Sequence, residues 1–174
     1  MLLMQRPIYA GTKSVIDHAT SPGSGTVEVK ANATRKVSLD ISDSGSNNLV
    51  SNTGIDFGDV DAEGTLSSSG LTGTAIDGDT AEYKTSFDFA VSRTGNGNVT
   101  LAVSRTAAGS FSATDGIRVE DSAGALQSLA GSGNTVTLIS NQAEGTFSKQ
   151  LGVRIHGADS GALTSTLTFT ATAL

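Results

Sequence analysis

The stretch Gly161-Ala-Leu-Thr-Ser-Thr-Leu-Thr-Phe-Thr-Ala-Thr-Ala-Leu174 decides the fold class. Leu163, Leu167, Phe169, Ala171 and Ala173 share one parity, and Thr164, Thr166, Thr168, Thr170 and Thr172 share the other. That two-residue period is the pattern of a strand with one apolar face buried and a row of β-branched hydroxyl side chains on the wet face. A strand of this kind cannot satisfy its backbone groups alone, so it requires a sheet elsewhere in the chain or in a neighbouring subunit.

Reading outward from that end, Phe147, Leu151, Val153 and Ile155 form the preceding strand, and His156–Gly161 is the corner between the two. The spacing predicts a hairpin of these last two strands. A second hairpin is predicted where Phe87, Phe89 and Val91 run into Gly95-Asn-Gly-Asn98 and Val99, Leu101 and Val103 return on the same parity. Shorter strands are expected at Val136–Ile139 and at Gly116–Val119, and from Thr26 the run Val27, Val29 and Ala31, then Val37, Leu39 and Ile41, interrupted near Thr34-Arg35-Lys36, reads as one strand with a bulge or two short strands. In Ile55-Asp-Phe57-Gly-Asp-Val60 the apolar parity switches at Gly58, where a bulge or bend belongs. Residues 61–80 read as a long connection with room for one short strand. Ala123–Ala130 could make one helical turn, bounded by Gly124 and Gly131.

Strands at roughly ten-residue spacing, with 21 glycines and abundant Ser, Thr, Asn and Asp at the turns, define an all-β chain. The architecture expected is an antiparallel immunoglobulin-like or jelly-roll β-sandwich with an extended N-terminal arm. Residues 1–25 read as that arm, closed by Ser21-Pro22-Gly23-Ser24-Gly25, and residues 26–174 as the sandwich domain. The first residues lack the charged start and long apolar core of a signal peptide, and no run approaches a membrane span.

Eleven Lys plus Arg against 17 Asp plus Glu give a net charge of −6 and a pI near 4.7, which argues against nucleic acid as a partner. With no cysteine there is neither a disulfide framework nor a thiolate metal site. Nucleophilic catalysis finds no Gly-x-Ser-x-Gly elbow, and His18 and His156 show no second imidazole or carboxylate at ligand spacing. The expectation is a protein that is not an enzyme. Asp56, Asp59, Asp61 and Glu63 on one loop, with Asp77 and Asp79 on another, are the one constellation that could wrap a hard cation such as Ca²⁺, although the spacing is not that of a helix-flanked calcium loop. The same residue types also serve as turn formers. No other cofactor is expected. The absence of Trp, with Tyr9 and Tyr83 the two tyrosines, argues against stacked sugar platforms. Asn32-Ala-Thr34 and Asn98-Val-Thr100 match the glycosylation acceptor pattern.

Three stretches taken together, Thr26–Thr34 with Val37–Ile41, Gly54–Val60, and Gly161–Ala173, resemble bacterial fimbrial subunits and related surface sandwiches. The resemblance implies an immunoglobulin-like domain whose sheet is completed by a strand from a neighbour, giving a filament at the cell surface. It differs from type 1 pilins in having neither a disulfide nor a penultimate tyrosine. Phage decoration or capsid-stabilising proteins of the virion surface share the acidic, cysteine-free, Gly/Thr-rich character, and a monomeric calcium- or glycan-binding module is a third reading. For either assembly the expected partner is a copy of the chain or another structural subunit. Contact is expected through strand pairing or arm docking, anchored by Ile8, Tyr9, Val15, Ile16, Val27 and Val29 on one side and Leu167 and Phe169 on the other. The terminal strand is expected to stay inside its domain while the arm reaches outward.

Overall fold

The computed structural model describes residues 36–44, 48–51, 54–107 and 109–174. The arm, its anchors Ile8, Tyr9, Val15, Ile16, Val27 and Val29, the strand expected from Thr26, His18 and the Asn32 acceptor pattern lie outside the described residues. What is described is all-β and antiparallel, as expected. The strands are β1 (Val37–Asp43), β2 (Val50–Ser51), β3 (Gly54–Ile55), β4 (Thr74–Asp77), β5 (Thr80–Arg93), β6 (Val99–Ala107), β7 (Ile117–Glu120), β8 (Leu126–Ser128), β9 (Thr135–Gln142), β10 (Gly145–His156) and β11 (Thr166–Ala173).

Among the described residues two main sheets face each other across one core, and β2 and β3 pair as a separate two-stranded ribbon at its margin. The larger has the order β1-β5-β10-β7-β8, with β4 also on β5, and the smaller has the order β11-β6-β9. Strand β5 is the longest because its apolar parity is sustained: Ala81, Tyr83, Phe87, Phe89 and Val91 all point inward and are buried. Opposite them stand Val99, Leu101 and Val103 of β6 and Val136, Leu138 and Ile139 of β9. Leu151, Val153 and Ile155 of β10 and Ile117 and Val119 of β7 extend the larger sheet's inner face. Removing such faces from water is the main stabilising term, about 1.5–3 kcal/mol per fully buried large aliphatic or Phe side chain.

Both predicted hairpins are corrected. Strands β5 and β6 do not pair with each other; they lie in different sheets, and Gly95–Asn98 is an arch that carries the chain across the core. Shared parity across this turn means that Phe87, Phe89 and Val91 face Val99, Leu101 and Val103 through the sandwich, which parity alone cannot distinguish from side-by-side pairing. Gly95 and Gly97 supply the positive φ angles of 87° and 134°. Arg93 fastens the arch, donating from Nη2 to the Asn96 carbonyl at 2.7 Å and from Nη1 to the Asn98 and Leu174 carbonyls at 3.0 and 2.9 Å. Nor does β11 pair with β10. It lies antiparallel to β6, Ala173 opposite Val99 and Phe169 opposite Val103, while β10 sits between β5 and β7. The terminal strand is inside the domain, as expected, but in the other sheet. Ala123–Ala130 holds a turn and β8 in place of a helical turn; Asp121 Oδ1 accepts from the Ala123 and Ala125 amides and forms that turn instead.

Candidate functional site

Among the described residues the smaller sheet has three strands against six in the larger. Beside the inner face of β10 and the start of β7 lie the connections at residues 54–60 and 159–165. Between these and β11 a cleft of about 1660 Å³ remains. Its floor is Ile117, Leu151, Val153 and Ile155, and its walls include Ile41, Ile55, Phe57, Phe111, Leu163, Leu167 and Phe169. The floor residues are buried, and the wall residues keep part of their surface in water. Asp56, Asp59 and Asp159 stand among the polar residues of the lining.

Leu167 and Phe169, expected from sequence as assembly anchors, both line this cleft. They do so because they occupy the inward parity of β11, and the Phe169 ring stacks on Phe89 of the opposite sheet at 5.4 Å with a tilt of 40°. Thr166–Ala173 pairs with β6 along one edge, and its other edge has no partner among the described residues. Among the described residues, the backbone groups of that edge join no second strand, and they run beside an apolar trough. In the sequence the floor reads as ordinary core; nothing in its alternation signals the cleft above it.

The bulge or bend expected at Gly58 is a bend outside any strand: φ is +69°, and Ile55, Phe57 and Val60 all reach the core despite the parity switch. The acidic residues flanking it act as local hydrogen-bond acceptors. Asp56 Oδ1 accepts from the Gly58 amide at 2.8 Å, and Asp77 Oδ1 from the Asp79 amide at 2.9 Å. Asp61 is surrounded by donors: the Thr65 amide and the Tyr83 hydroxyl at 2.8 Å each on Oδ1, and the Thr65 hydroxyl at 2.5 Å and the Leu66 amide at 2.8 Å on Oδ2. The Thr65 hydroxyl bond above all, with those from Tyr83 and the two amides, pulls its pKa down to about 2. Asp59, Glu63 and Asp79 complete the expected set, and among the described residues no group of three or more acidic or imidazole side chains converges on one point. The single hydroxyl proton of the fully buried Tyr83 is shared between Asp61 Oδ1 and the Leu66 carbonyl, each 2.8 Å from the oxygen, so one hydroxyl ties the 61–66 loop to β5 beside the cleft.

His156 differs from the sequence reading, since carboxylates do flank it. Nε2 lies 3.4 Å from Asp115 and Nδ1 3.4 Å from Asp159. Asp159 is three residues along the corner, a local spacing open to sequence inspection, whereas Asp115 arrives through the β7–β10 pairing. The two carboxylates sit on opposite sides of the ring, so the imidazole bridges them. The Asn98 side chain donates to the Asn141 carbonyl and Oδ1 at 3.0 and 2.8 Å, which commits the amide of that acceptor pattern to the fold.

No protein-family model and no curated protein matches the chain. Among solved structures it is similar to a chain of a chaperone-tip adhesin complex described as vital for synergistic activation of CFA/I fimbriae biogenesis, at 13% identity and a TM-score of 0.34, over 60% of this chain and 38% of that one. This chain therefore spans well under half of that protein's length.

Proposed function

We propose that the chain is a non-enzymatic structural subunit of a cell-surface filament, joined to its neighbours by a strand from residues 1–35 of one copy entering the cleft of the next. The observation that carries this reading is that, among the described residues, one edge of β11 has no strand partner and lies beside an open apolar trough. An incoming strand would satisfy the edge's backbone groups and lay alternate apolar side chains on Leu167, Phe169 and the floor, the usual physics of strand addition. Lengths agree: nine residues of Thr26–Thr34 span about 30 Å when extended, and the eight of β11 span about 27 Å.

Chain direction supports addition between copies. Lys36 continues the β1–β5 ladder, its amide donating to Thr94 Oγ1 and its carbonyl accepting from the Thr94 amide, both at 2.9 Å. Residue 36 therefore lies at the arch end of the sandwich, with Arg93 and Leu174. The cleft opens toward the other end, where Ile155, Phe111 and Asp159–Leu163 lie. A donor rooted at one end and an acceptor at the other make a heterologous contact, which propagates as an open filament.

Complementation tests this. Chains carrying Val27→Asp and Val29→Asp, and chains carrying Leu167→Asp, are each expected to stay short by electron microscopy and light scattering, while a mixture forms pairs that do not grow. Filaments of unchanged length from the Val27/Val29 variant would remove these two positions from the donor, and the same result with Ile8, Tyr9, Val15 and Ile16 also replaced would refute the reading.

A further inference from the structure

The two outer faces of the sandwich differ in charge. The larger sheet presents Asp40, Glu82, Lys84, Asp88, Arg118, Glu120 and Arg154 on its strands, several in ion pairs such as Arg154–Glu82 at 3.1 Å and Arg118–Glu82 at 3.4 Å. Strands β6, β9 and β11 together contain one charged residue, Arg105, which points inward, is 0% exposed and donates to the Phe111 and Ser112 carbonyls at 2.9 and 2.8 Å. The outer face of the smaller sheet is thus made of neutral, short side chains. Thr168, Thr170 and Thr172 on β11 lie beside Ser104, Ala102 and Thr100 on β6, and Thr166 beside Ala107, with Thr135 and Thr137 on β9. Thr106 and Thr168 bond each other across the strands at 3.2 Å.

We infer that this Thr/Ser face is a lateral contact surface for a second copy of the chain, by which assembled filaments lie side by side; the filament part of this statement rests on the function proposed above. A chain of net charge −6 repels its copies, and of the two sheet faces this one carries none of that charge. Its hydroxyls both donate and accept, so two such faces can satisfy one another, and their methyls provide apolar contact. The size of the face sets the behaviour. Three strands about 4.8 Å apart and eight residues long give about 400 Å², half of the roughly 800 Å² per partner buried in a stable complex. One pair of faces is therefore too small to hold two free subunits, and the contact acts when many copies are displayed in a row and bind together.

Beads densely coated with the full chain test the face without requiring filaments, and electron microscopy of the same preparation separately reports whether filaments form. Wild-type beads are expected to clump, and beads carrying Thr168→Glu, Thr170→Glu and Thr172→Glu to remain dispersed. Beads carrying the same added charge on the larger sheet, as Ser38→Glu, Ala90→Glu and Thr146→Glu, are expected to clump like wild type, with melting curves verifying that both variants fold. Dispersed wild-type beads, or equal clumping of the Thr-face variant, would overturn the inference. Clumping beads without filaments would leave the lateral surface standing and count against the filament.

Discussion

Shaving the cleft wall at Leu167 and Phe169 should weaken assembly more than its effect on the single chain explains. Both side chains keep part of their surface in water where they line the cleft. Burying that remainder under an incoming strand would contribute about 0.5–1 kcal/mol each at roughly 25 cal/mol per Å², and together about 1–2 kcal/mol, or about 5- to 30-fold in the assembly constant. Within one chain, Leu167→Ala should also cost stability, since Leu167 packs on the core. The matching control is Ile139→Val, buried and away from the cleft, with an expected cost of about 0.5–1.5 kcal/mol. Urea unfolding gives the single-chain term, and the concentration at which scattering rises gives the assembly term. Leu167→Ala and Phe169→Ala should raise that concentration by the stated factor, and Ile139→Val should leave it in place despite a measurable stability loss. Equal shifts for all three at equal stability loss would refute the cleft as the contact.

Three further outcomes follow from the loops around the cleft. Asp61, with its pKa held near 2 chiefly by the Thr65 hydroxyl, favours the folded state above its unfolded value near 3.8, and that contribution is lost as pH falls through about 2; the melting temperature of Asp61→Asn should accordingly fall less steeply over that window than wild type, and parallel slopes would assign the acid sensitivity elsewhere. Calcium or a chelator should leave the melting temperature unchanged, because the Asp61 oxygens already accept four hydrogen bonds; a calcium-dependent rise would restore the cation reading of Asp56, Asp59, Asp61, Glu63, Asp77 and Asp79. Gly109→Ala should be among the most destabilising single changes, since φ is +60° and a Cβ there would collide with the Thr164 carbonyl; a melting temperature matching wild type would show that the 109–110 and 164–165 segments can separate.

Periodicity makes the all-β class legible and locates most of the described strands, because a residue's parity records whether it faces the core. Parity does not record which strand is its hydrogen-bonded neighbour. Phe89 and Val103 share a parity whether they lie side by side or face each other across the core, so in sequence the Gly95–Asn98 arch resembles a hairpin and β11 matches β10. Leu167 and Phe169 are identifiable as anchors from the terminal alternation. Their neighbours on the floor, Val153 and Ile155, are not, because the openness above them depends on the strand count of the opposite sheet. The acidic loops are ambiguous for a similar reason: an Asp that wraps a cation and one that accepts amides from its own turn have the same local spacing, and Tyr83 joins Asp61 from 22 residues away.

The absence of cysteine from the chain makes cross-linking the most direct test of strand exchange. Single-cysteine chains bearing Ile8→Cys, Val15→Cys, Val27→Cys or Val29→Cys are each mixed with a Leu167→Cys chain under mild oxidation. A disulfide between different chains from at least one of these four, formed more readily than with a Thr170→Cys partner on the outer face, is the predicted result. Cross-links confined to single chains when both cysteines are placed together, or none at Leu167 from any of the four, would contradict the account.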